Sequence, residues 1–404
     1  MTRGGLSKAR LERMHEVMAG YVARGELPGL VTLVSRRGET RVDAIGDQAM
    51  GGGGAMQRDT IFRIASMTKP VTAVAAMILV EECRLRLDDS VEPFLPELAN
   101  RRVLTRIDAA LEDTVAAERP ITVRDLLTFR LGFGSVMAPP GSVPIQRAVA
   151  EHRLGGDGPP RPQTTPPPDE WLRRLGALPL MHQPGARWMY NTGSDVLGVL
   201  VERASGQPLE RFFRERIFEP LGMKDTAFSV APAKLDRLAT SYAVSQKSGA
   251  LELFDAAAGG QWSRPPAFAS GGGGLVSTVD DFCRFSEMLL GRGALGQERI
   301  LSRPSVELMT TDQLTPEQKA GSSLFPGYFD NHGWGFGVAV VTRRDGVAGS
   351  VGQFGWDGGL GTSWSCDPRE ELVVILMTQR AWTSPNPPNV SRDCATCAYQ
   401  AIDD

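Results

Sequence analysis

If residues 71–80, Val-Thr-Ala-Val-Ala-Ala-Met-Ile-Leu-Val, form a helix, it is apolar around almost its whole circumference. A helix of that kind is buried rather than laid on a surface. Just upstream stand Ser66-Met67-Thr68-Lys69. Residues three apart on a helix share a face, because three residues nearly complete a turn. Pro70 falls in the first turn, where a missing N–H is tolerated. The chain must therefore fold around a buried helix with a lysine at its start. A buried ammonium is costly unless it is paired or neutral. A lysine that is neutral part of the time is a base, and beside a hydroxyl that base makes a nucleophile. The helix N-terminus adds N–H groups and a partial positive charge near the serine oxygen. The plainer alternative makes Ser66 a helix cap and Lys69 a residue whose head reaches water. The four residues alone leave both readings open.

The chain has 404 residues, 42% hydrophobic and 23% charged, with net charge -3. That composition is globular. The length suits two structural units or one large discontinuous domain with an insertion. No basic cluster interleaved with aromatics occurs, so nucleic acid is not an expected partner. The five cysteines, Cys83, Cys283, Cys366, Cys394 and Cys397, are scattered and do not read as a disulfide framework. Cys394 and Cys397 lack the second pair or nearby histidines that a zinc site needs. No cofactor or metal is expected. Residues 1–20 lack the apolar core of a signal peptide, and the run at 71–80 is too short to span a bilayer. The expectation is a cytoplasmic protein without a membrane partner; the oligomeric state is not legible.

Residues 1–20 read as an amphipathic helix with Leu11, Met14, Val17, Met18 and Tyr21 on one side. Residues 30–35 and 40–45 are β-rich runs about Arg36-Arg37-Gly38-Glu39, a hairpin signal. Residues 95–265 alternate helical patterns, at 121–129 and 195–204, with long polar links. Residues 139–168 are rich in proline and glycine and are expected to be a long loop, either a wall or lid of a pocket or a plain insertion. Residues 275–290 read as a helix opened by Ser277-Thr278. Strands are expected at 334–341, 361–365 and 372–378. Early and late strands with helices between predict one sheet built from both chain ends: a discontinuous sheet domain over 1–94 and 266–404, and a helical domain over 95–265. Sites commonly lie at such junctions.

Two further stretches carry chemistry. Tyr190, in Trp188-Met189-Tyr190-Asn191-Thr192-Gly193-Ser194-Asp195, precedes a helix. A phenol whose pKa is lowered by a nearby lysine shuttles protons; otherwise it is a tyrosine packed at a domain edge. Phe354-Gly355-Trp356-Asp357-Gly358-Gly359-Leu360-Gly361-Thr362 is dense enough in glycine to let backbone approach another group closely. Facing a carbonyl substrate, the N–H groups of Gly359 and Ser66 would make an oxyanion hole; otherwise this is a turn into an edge strand. Of the four histidines, His15, His152, His182 and His332, only His332 is suggestively placed for a Ser-His-Asp triad. No Gly-x-Ser-x-Gly elbow, zincin motif or phosphate loop is present.

In this order the three motifs resemble the penicillin-recognising serine hydrolases, nearest the class C β-lactamase branch with its family VIII carboxylesterases, D-amino-acid peptidases and acyltransferases. The resemblance covers nearly the whole chain and includes Leu126-Leu127-Thr128-Phe129, Phe218-Glu219-Pro220-Leu221-Gly222-Met223 and Gly273-Gly274-Leu275-Val276-Ser277-Thr278. It implies an α+β fold, an antiparallel sheet flanked by helices plus an inserted helical part. It implies Ser66 as the acylated nucleophile, Lys69 as base or relay, Tyr190 as proton exchanger, Ser66 and Gly359 as oxyanion donors, and Trp356, Asp357, Gly358, Asn191 and Thr192 in the substrate pocket.

Two departures matter. The family usually has tyrosine, any residue, then asparagine; here Thr192 takes the third place and Asn191 the middle one. The family also carries lysine or histidine where Trp356 stands. Tryptophan cannot attract a carboxylate and adds an apolar wall. The expectation is a metal-free carboxylesterase for neutral, short-chain esters, with an acyltransferase and a lactamase or D-peptidase as alternatives. A non-catalytic binding protein on the same scaffold is the reading from another class.

Overall fold

In a computed structural model, the structure describes residues 4–155, 160–322 and 324–404. The first three residues of the expected N-terminal helix and residues 156–159 of the expected loop lie outside it.

A seven-stranded antiparallel sheet runs through the molecule. Its strands are β1 (Gly29–Arg36), β2 (Glu39–Gly46), β3 (His332–Trp334), β4 (Ala339–Val341), β5 (Phe354–Gly358), β6 (Thr362–Asp367) and β7 (Leu372–Thr378), in the spatial order β3-β4-β5-β6-β7-β1-β2. The β1–β2 turn places Arg37 and Gly38 at φ 49° and 78°, as a two-residue hairpin turn of matching twist requires. β1 and β7 pair Leu33 with Ile375 and are buried along their whole length. Alternation sorts their side chains. Leu30, Val34, Leu372, Val374 and Leu376 pack with helices α1 (Lys8–Ala23) and, at the chain's end, Asn389–Gln400. Val31, Leu33, Val373, Ile375 and Met377 face the larger core on the other side.

That larger core contains helices α2 (Thr68–Glu81), α3 (Thr192–Ser205) and α4 (Val279–Leu290). Residues 68–79 of α2 are all buried, as an all-round apolar helix must be. α3 packs on α2, and α4 packs on β1 and β7. Thr278 caps α4, accepting from the Asp281 N–H at 3.2 Å.

Three expectations need correction. The stretch at 139–168 is not simply a loop: Pro144–Glu151 is a helix that buries Ile145 and Ala148, one face of little more than two turns and too short to stand out in the sequence. The strand expected at 334–341 is two strands, because Gly335 and Gly337, the latter at φ 71°, turn the chain between them. The helix expected over 275–290 starts at Val279; Val276–Ser277 instead pairs with Phe62–Arg63.

Candidate active site

Phe62–Arg63 delivers the chain into a single 3₁₀ turn, Ala65–Met67, which runs directly into α2. Ala65 has φ 43°, a conformation that L side chains rarely adopt and that surrounding structure must hold. The stretch at 271–275 fixes the helix that follows this turn. Thr72 Oγ1 donates to the Gly271 carbonyl at 2.7 Å, and Thr68 Oγ1 accepts from Leu275 N–H at 3.1 Å. Lys69 Nζ donates to the Gly272 carbonyl at 2.5 Å.

Lys69 is 0% exposed, and its Nζ lies 2.8 Å from Ser66 Oγ. Burial lowers its pKa to about 7, opposed by the Asp195 carboxylate. At neutral pH a large share of the amine is therefore uncharged. With one N–H on Gly272, its lone pair is free to accept the Ser66 proton. Tyr190 completes the group. Its phenol is hydrogen-bonded to Ser66 and accepts from Trp356 Nε1–H at 2.8 Å, and Lys69 Nζ lies 4.8 Å from its ring centroid. Hydroxyl, amine and phenol, far apart in sequence, meet in one place.

The expected lowering of the Tyr190 pKa by Lys69 is reversed. Burial raises it above the ordinary phenol value, outweighing the bonds from Ser66 and Trp356. Burial perturbs both groups toward their neutral forms, the lysine downward and the phenol upward.

β5 closes the other side. A Cβ on Gly358 would lie 2.2 Å from the Ile64 carbonyl oxygen, so only glycine lets this strand abut the nucleophile turn. Thr362 Oγ1 donates to that same carbonyl at 3.2 Å. Gly359 follows, its carbonyl accepting from Trp382 N–H at 2.9 Å. Asp357, beside it, is pushed up to about 6 by burial, against a hydrogen bond from Ser363. Asn191, at φ 93°, and Thr192 are partly buried at the start of α3.

Sequence reasoning missed Asp195. Its carboxylate accepts from Ser270 Oγ at 2.6 Å and from Gly272 N–H at 2.9 Å. It thus holds the peptide whose carbonyl holds Lys69. An acid in the first turn of a helix is ordinary, so only its partners, Ser270 and Gly272, distinguish it. Also missed was an aromatic cluster around Tyr190 and Trp356, formed by Phe129, Trp188, Trp334 and Tyr328. Trp334 and Trp356 meet edge to face with centroids 4.7 Å apart. His332 stacks on Tyr328 at 5.1 Å and pairs with Asn331; among the described residues it has no bond to Ser66.

Among the described residues no group of three or more histidine, cysteine and acidic side chains could hold a metal, and no helix is long and apolar enough to cross a membrane.

A family model described as Beta-lactamase matches residues 14–389. The chain belongs to this family. It is 40% identical to Protein Rv1367c of Mycobacterium tuberculosis over 92% of this chain and 89% of that protein. It is 31% identical to Esterase EstB of Burkholderia gladioli over 92% of this chain and 90% of EstB. The solved structure of EstCE1, described as a hydrolase with promiscuous acyltransferase activity, superposes with a TM-score of 0.77 at 25% identity, covering 98% of this chain and 99% of that one. The fold is the mixed helix-and-sheet fold of the family, and the chain is a serine hydrolase.

Proposed function

We propose that the protein is a carboxylesterase that hydrolyses neutral, short-chain esters through an acyl-enzyme on Ser66. The observation that carries this reading is the Lys69 amine, buried, near neutral and 2.8 Å from Ser66 Oγ. Lys69 takes the Ser66 proton as Oγ attacks the ester carbonyl. The resulting oxyanion is met by the N–H groups of Ser66 and Gly359; the first N–H groups of a helix have no intrahelical partner to compete. Tyr190, whose raised pKa keeps it protonated, gives its proton to the departing alkoxide and recovers one from Lys69. Water then attacks the Ser66 ester by the same route in reverse, releasing the acid.

The pocket supports a neutral substrate. Trp356 stands where a cation would attract a carboxylate, Asp357 adds an acid rather than a base, and the remaining wall is aromatic. The resemblance to EstB supports the same reaction. Purified protein should turn over p-nitrophenyl butyrate, and Ser66→Ala should abolish it; full activity in that variant removes the assignment. EstCE1's description favours a second reading, transfer of the acyl group to an alcohol in place of water. Product analysis with added alcohols separates the two.

A further inference from the structure

We propose that Pro160 and Gln163 form a fixed wall beside the Ser66 turn that limits substrate girth and favours esters with an unbranched chain at that point. The inference rests on the reading of Ser66 as nucleophile. A methyl group built on Gly273 would lie 3.5 Å from Pro160 Cγ and 3.8 Å from the Ala65 carbonyl carbon. The proline ring and the residue preceding Ser66 thus both border the space that one methyl on Gly273 would fill. Gly273 directly follows the residue whose carbonyl holds Lys69, so this space lies beside the reacting groups.

The wall is tied down by one side chain. Gln163 Nε2 donates to the carbonyls of Gln261, Arg264 and Pro265 at 2.8, 3.1 and 3.3 Å. Two N–H groups shared among three carbonyls make an anchor with little freedom. The anchor continues to the nucleophile. Gln261 N–H donates to Asp255 Oδ1 at 2.7 Å, and Asp255 Oδ2 accepts from Arg63 Nε at 2.8 Å. Arg63 and Asp255 are 3% and 4% exposed, and Arg63 also donates to the Ala239 and Ala256 carbonyls. Arg63 lies on the strand that enters the Ser66 turn. A continuous hydrogen-bonded path therefore fixes the Pro160 segment relative to Ser66.

A space bordered this closely discriminates by shape: a branch that it cannot accommodate costs about tenfold or more in kcat/KM. The test compares linear with branched esters in two series, p-nitrophenyl butyrate against isobutyrate, and propyl against isopropyl butyrate. Wild-type protein should favour the linear member in at least one series. Gln163→Ala, which frees the segment, and Pro160→Gly, which removes the ring, should each cut that preference about tenfold. Gln163→Lys, which restores a donor for the same carbonyls, should recover part of it. The preference is a ratio within one protein, so loss of folded material does not mimic the effect. An unchanged preference in both Gln163→Ala and Pro160→Gly, or no preference in wild type, overturns the wall. Failure of the underlying reading is seen separately: a fluorophosphonate probe that leaves Ser66 unlabelled in the wild-type protein, by peptide mass spectrometry, removes the nucleophile and the wall together. Labelled Ser66 with unchanged ratios removes only the wall.

Discussion

Trp356 donates its indole N–H to the phenol oxygen of Tyr190 at 2.8 Å. The sequence suggests tryptophan here as an apolar wall; the structure makes it a hydrogen-bond donor as well. A donor to this oxygen stabilises any negative charge that gathers there as the phenol gives up its proton. Trp356→Phe keeps most of the wall and removes the donor. A hydrogen bond of this kind contributes about 1 kcal/mol, so kcat for p-nitrophenyl butyrate should fall about fivefold, with KM little changed. A change confined to KM would return Trp356 to the role of a wall alone.

Lys69 sets the pH dependence. Its pKa is lowered by burial to about 7, and it acts in the neutral form. Activity is therefore lost as pH falls through that value and gained as pH rises through it. The log of kcat/KM should climb with unit slope below the midpoint and level off above it. A flat profile from pH 5 to 9 would mean that no group in this range serves as the base.

Much of the site could be read in the chain because its local order carries the chemistry. Ser66 and Lys69 share a helix face by spacing alone, and the apolar run after them demands burial. The β-rich runs at 30–35 and 40–45 about Arg36-Arg37-Gly38-Glu39 made the hairpin legible. What could not be read depends on tertiary contact. The direction of the Tyr190 pKa follows from how deeply the ring is buried, which no spacing reveals. Asp195 looks like any helix-start acid until Ser270 and Gly272 are seen to meet it. The break between β3 and β4 hides in Gly335 and Gly337, whose turn is set by neighbours distant in sequence.

Gly358 tests the contact between β5 and the nucleophile turn. A Cβ there would fall 2.2 Å from both the Ile64 carbonyl oxygen and Thr362 Oγ1, closer than any real contact. Gly358→Ala must push the strand away or distort the turn. It should cost about 1–3 kcal/mol of stability, seen as a lower melting temperature, and should reduce kcat more than a core substitution of equal cost. Gly359→Ala provides the contrast, since a Cβ there meets nothing within 4 Å. If the two variants melt and turn over alike, the close approach is not what demands glycine at 358.

Asp195 acts on Lys69 in two separable ways. Its carboxylate raises the lysine pKa through charge, and it fixes the Gly272 peptide through the bond from Gly272 N–H. Asp195→Asn keeps an acceptor oxygen and removes the charge. Without that charge the ammonium form loses support, so the Lys69 pKa falls further and the midpoint of kcat/KM moves to lower pH. Asp195→Ala removes the acceptor too, leaving Gly272 free to shift, and should lower the plateau as well as move the midpoint. A midpoint that rises in Asp195→Asn would contradict the sign of the interaction. A midpoint unmoved in both variants, with the plateau lowered in Asp195→Ala alone, would assign Asp195 a purely geometric part.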